Sequence, residues 1–71
     1  MKIRELPTIY NVDKVRLYQG NRIIGETWVG STVMLYIEEK FPTYLDSVID
    51  YLEMCIEGCI SEVLVLEIYI K

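Results

Sequence analysis

Residues 62–70 read EVLVLEIYI, and this stretch decides the fold. Leu64, Leu66, Ile68 and Ile70 fall on one face of an extended chain and Val63, Val65, Glu67 and Tyr69 on the other, because successive side chains of a strand point to opposite sides. Its β-branched and aromatic residues suit a pleated, packed surface. Both faces are largely apolar. Such a strand is central in its sheet, covered on its second face, or used in an interface.

A strand needs neighbours, and Asp13 to Val29 reads as a β-hairpin. Val15 and Leu17 alternate with Lys14, Arg16 and Tyr18, and Gly20-Asn21 tolerates the positive φ of a two-residue turn. With that turn, Tyr18 opposes Ile23 and Leu17 opposes Ile24. This register places Val15, Leu17, Ile24 and Trp28 on the core face, and Lys14, Arg16, Tyr18, Ile23 and Thr27 on the other.

Gly30 and Ser31 punctuate the chain after the hairpin. Ser31 or Thr32 is placed to cap a short helix over Met34, Leu35, Ile37, Glu38 and Phe41, which Pro42 ends. Residues 44–57 read two ways. Leu45, Val48, Ile49, Leu52, Cys55 and Ile56 fit a helical stripe, with Thr43 as cap and Asp46, Asp50, Glu53 and Glu57 opposite. The alternation of Val48, Asp50, Leu52, Met54 and Ile56 makes a poorer strand, so periodicity favours the helix. At the other end, Lys2 to Ile9 reads as a helical turn broken by Pro7, covering the core with Ile3, Leu6 and Ile9. The expected fold is a single α+β domain over residues 1–71, with a small antiparallel sheet (N-terminal hairpin plus C-terminal strand) packed against one or two helices.

Seventy-one residues support one core, and 52% hydrophobic against 25% charged residues excludes a disordered chain. The apolar content exceeds what so small a core hides, so a homo-oligomer, a homodimer in its simplest form, is expected. The net charge of −4 is unevenly spread. Residues 1–35 carry five bases and three acids, whereas residues 36–71 carry eight acids and two bases. An acidic half repels phosphate, which excludes direct nucleic-acid binding there. It fits docking on a basic protein surface, including one that normally holds nucleic acid. The residues expected to bind such a partner are Glu38, Glu39, Asp46, Asp50, Tyr51, Glu53 and Glu57, since a tyrosine among carboxylates supplies both an apolar anchor and charge.

The chain has no histidine, no phosphate-binding glycine loop and no dinucleotide fingerprint, so no catalytic residue, cofactor or metal ligand is expected. Cys55 and Cys59 stand in C-I-E-G-C, a spacing that suits neither a redox pair nor a zinc site, and are expected as free thiols. MKIRELPTIY lacks the apolar run of a signal peptide, and no stretch is long enough to span a membrane. A cytoplasmic location is therefore expected.

The order of features resembles a group of small uncharacterised proteins from phages and prophages of Gram-positive bacteria. The stretches that carry the resemblance are MKIREL (1–6), VRLYQGNRIIGETWVG (15–30), IEEKFPTYLDS (37–47) and VLVLEIYIK (63–71). The resemblance implies an extended segment over 47–56, with Gly58 in its hairpin turn, and brings no known activity, catalytic residue or cofactor. By analogy of size, charge and such an origin with the short acidic inhibitors that phage genomes carry, anti-CRISPR proteins among them, the expected function is a phage-encoded inhibitor of a host defence or nucleic-acid-handling protein, acting in the host cell. The alternatives are an oligomeric sponge that binds a small molecule or nucleotide with Lys14, Arg16 and Arg22, and a self-associating phage accessory protein.

Overall fold

The structure, a computed structural model, describes residues 1–6, 11–29 and 33–71. Strands β1 (Lys14–Gln19) and β2 (Arg22–Trp28) are followed by helix α1 (Val33–Lys40), then by β3 (Ile49–Glu57) and β4 (Val63–Ile70). Short 3-10 turns lie at Ile3–Glu5 and Pro42–Tyr44. The fold is α+β, with one sheet ordered β2-β1-β4-β3 and one layer of helix and turns.

The last strand is central, one of the three placements its two apolar faces allow. β4 pairs in parallel with β1 (Val15 beside Leu66, Leu17 beside Ile68) and antiparallel with β3 (Leu52 beside Ile68, Met54 beside Leu66). The sheet is therefore mixed: the hairpin joins the C-terminal strand in parallel, a departure from antiparallel pairing throughout. Val15, Leu17, Leu66, Ile68 and Ile70 point to the side covered by Val33, Met34 and Ile37 of α1, and with Ile3, Leu6 and Phe41 they form the core.

Residues 49–57 form a strand and not the expected helix. β4 would otherwise expose one row of backbone donors and acceptors. The chain that returns through Gly58 (φ 105°) satisfies that row along Ile49–Glu57, and this pairing outweighs the local helical stripe. As a strand, the segment sends Leu52, Met54 and Ile56 to the helix side and Tyr51, Glu53, Cys55 and Glu57 to the other.

The hairpin turn falls at Gly20-Asn21, with Gly20 at φ 61°, and Tyr18 opposes Ile23 as expected. Beyond that the register shifts: Leu17 opposes Gly25, so Ile24 is a bulge. One extra residue exchanges the faces of everything after it. Thr27, not Trp28, stands beside Val15 on the core side, and Trp28 is 61% exposed on the opposite face. Gly25 suits this site because a Cβ there would lie 3.1 Å from the buried Phe41 ring. The helix ahead of Pro42 is present, whereas its cap at Ser31 or Thr32 and the reading of Pro7 and Ile9 lie outside the described residues.

Candidate functional site

The side of the sheet away from α1 has no covering helix among the described residues. Ile23, Trp28 and Tyr51 remain exposed on it. Across this face run three tyrosines from three strands. Tyr18 of β1 stacks on Tyr69 of β4 at 4.7 Å between ring centroids, and Tyr69 stacks on Tyr51 of β3 at 4.2 Å, with planes within 7° and 10° of parallel. They stack because they are cross-strand neighbours in register, Tyr18 beside Tyr69 and Tyr69 beside Tyr51. Burial among these neighbours raises the Tyr18 and Tyr69 hydroxyl pKa values, so both rings stay neutral across the physiological range. A 330 Å³ hollow opens at the end of the ladder between the Gly20-Asn21 turn, Asp50 and Lys71.

One step along the strands the same face is ionic. The Arg16 guanidinium donates to both Glu57 oxygens at 2.8 Å, to Glu26 Oε2 at 2.9 Å and to Glu67 Oε2 at 3.3 Å. Hydrogen bonds from Arg16 hold the Glu57 and Glu26 carboxyls below the usual carboxylate range, while these partners raise Arg16 itself. Glu67 is only 9% exposed, and beneath this network Val65 is fully buried although it faces away from α1. Lys14 is likewise engaged, 3.5 Å from Glu26 and 4.4 Å above the Trp28 ring.

The residues singled out from the sequence divide among three places. Tyr51, Glu53 and Glu57 share this face on β3, and Asp50 sits in a second bulge at the head of that strand, between Ile49 and Tyr51. Glu38 and Glu39 are exposed on α1, across the sheet from the tyrosines. Asp46 lies in the loop before β3, where Arg4 grips both its oxygens at 2.6 and 3.1 Å and lowers its pKa. The acidic half is thus not one surface. Glu53 is the carboxylate of the β3 row that makes no ion pair among the described residues.

Sequence reasoning missed Tyr18 and Tyr69 as ladder members and Arg16 as the hub of the ion cluster. The one signal available was Gly25 inside a strand pattern, which marks a bulge and would have moved Trp28 to the open face. Cys55 and Cys59 are free thiols, and burial raises the pKa of Cys55, which leaves it a weak nucleophile. No group of three or more acidic or thiol side chains among the described residues is arranged to hold a metal ion. No described helix is long and apolar enough to cross a membrane. No family model, curated protein or solved structure was found to match the chain.

Proposed function

We propose that the chain is a non-enzymatic, phage-encoded inhibitor, anti-CRISPR-like in kind, that docks the β3 side of its open sheet face on a basic surface of a host protein in the host cytoplasm. One observation carries this reading: the tyrosine ladder ends at Tyr51 on an exposed strand, directly beside Glu53, a carboxylate with no ionic partner among the described residues. A stacked aromatic held rigid by its neighbours loses little freedom on binding, and an unpaired carboxylate is free to meet a cation. A nucleic-acid-handling protein offers such cations. The sponge reading has less to stand on, because Arg16 is already held by three carboxylates and Lys14 by Glu26 and Trp28, leaving no phosphate-binding pair on the hairpin.

The test is charge reversal at the two positions that spares the fold. Asp50→Lys with Glu53→Lys leaves every ion pair among the described residues intact, whereas Glu38→Lys with Glu39→Lys alters only the helix side. The first pair is expected to weaken capture of a basic target from host lysate, and inhibition of its nucleic-acid binding, at least tenfold. The second pair is expected to change neither. Equal inhibition by both variants removes the open face from the account.

A further inference from the structure

β3 is an edge strand, and among the described residues its outer edge is unpaired over one defined stretch. At its start that edge is taken by the chain's own N-terminus: the Ile49 amide donates to the Met1 carbonyl at 2.7 Å, Lys2 bridges Val48, and the Ile3 amide donates to Ser47. The Asp50 bulge breaks the ladder there, and the strand ends at Glu57 before Gly58 turns the chain away. What remains is the regular run from Tyr51 to Glu57, whose midpoint is Met54. On its helix side this run leaves Met54 54% and Ile56 62% exposed at the margin of the core.

We infer that two copies of this chain pair antiparallel along β3, about a two-fold axis at Met54, into one continuous eight-stranded sheet. A two-fold axis normal to the sheet sets residues of equal distance from the axis side by side and keeps each face on its own side. Only an axis at Met54 pairs the whole free run. It places Leu52 beside Ile56 of the second copy and Met54 beside Met54, closing the exposed apolar margin on itself. On the open face it places Tyr51 beside Glu57 and Glu53 beside Cys55, with no two carboxylates directly opposed. An axis at Glu53 would oppose Glu53 to itself, and one at Cys55 would oppose Glu53 to Glu57, both unfavourable. The other edge, β2, is a poorer partner, because the Ile24 bulge twists it and shortens its regular run. The Glu53 pair remains as diagonal neighbours about 7–8 Å apart, so salt that screens them tightens the dimer. The docking of a basic host surface proposed above weakens with salt instead, and the dimer stands independently of it.

Sedimentation equilibrium of the purified chain, from roughly 1 to 100 µM, tests the pairing. The wild type is expected as a dimer whose dissociation constant falls when NaCl is raised from about 0.1 to 0.5 M. Met54→Lys is expected as a monomer with unchanged circular dichroism, and Trp28→Lys as a dimer. The register is read by oxidation in a Cys55→Ser, Cys59→Ser background. Met54→Cys is expected to crosslink, since opposed Cα atoms about 4.5–5.5 Å apart lie within disulfide range. Ile56→Cys, whose two copies would sit about four residues apart along the strands, roughly 13 Å, is expected not to. A wild-type monomer throughout, a dimer that survives Met54→Lys, or crosslinking at Ile56 in place of Met54 would overturn the inference.

Discussion

Arg16→Met is the most direct probe of what holds the open face together. Methionine keeps most of the aliphatic stem but removes the guanidinium, and its three carboxylate partners then differ in their fate. Glu26 and Glu57 have side chains 43% and 40% exposed and can turn into water, whereas the Glu67 side chain is 12% exposed and has no such escape. The largest part of the cost is therefore that of a buried carboxylate losing its charged partner, about 2–3 kcal/mol. For a chain of this size that is a fall in midpoint temperature of about 10–20 °C. Thermal and urea unfolding of Arg16→Met, Glu67→Leu and the double variant measure it. The double variant is expected to recover most of the loss, because removing both partners leaves no orphaned charge. A single variant within about 0.5 kcal/mol of wild type, or a double variant less stable than Arg16→Met, would refute the reasoning.

Gly58→Ala should destabilise the chain by about 2–4 kcal/mol, because its φ of 105° is strained for any side chain and a Cβ there runs into the Ser61 carbonyl oxygen. Chemical denaturation reads this, and a neutral result would mean that the β3–β4 turn is not built as described. Acid should lower the stability of the protein through the same cluster. Glu26 and Glu57 have folded pKa values lowered by Arg16, so their contribution is complete above the ordinary value of 4.5 and is lost as pH falls below it through the lowered values. Stability measured from pH 7 to 2 should be flat in this respect down to about pH 5 and then fall, and Arg16→Met should flatten that fall.

Much of the fold was legible because it rests on short-range rules. The period-two run of β4 has apolar residues on both sides, which marks a strand and leaves it central, covered on its second face or used in an interface; the sheet order makes it central. The hairpin turn at Gly20-Asn21 and the stop at Pro42 follow from backbone sterics at single residues. The open face was only half legible: Tyr51, Glu53 and Glu57 could be chosen for their chemistry, but their grouping with Tyr18, Tyr69 and Arg16 depends on which strands lie side by side.

What the sequence by itself determined is therefore the class, an acidic α+β domain with one strand apolar on both faces, because composition and periodicity act within a few residues. What only the tertiary structure decided is the state of residues 49–57 and the membership of the open face. The helical stripe of Leu45, Val48, Ile49, Leu52 and Ile56 is real, but a helix there would leave the edge of β4 without hydrogen-bond partners. Likewise the parallel pairing of β1 with β4, which sets Tyr18 on Tyr69 and Arg16 on Glu67, joins residues some fifty positions apart. Local propensity is worth tenths of a kcal/mol per residue, about as much as one sheet pairing, and it yields when a whole row of backbone groups must find partners at once.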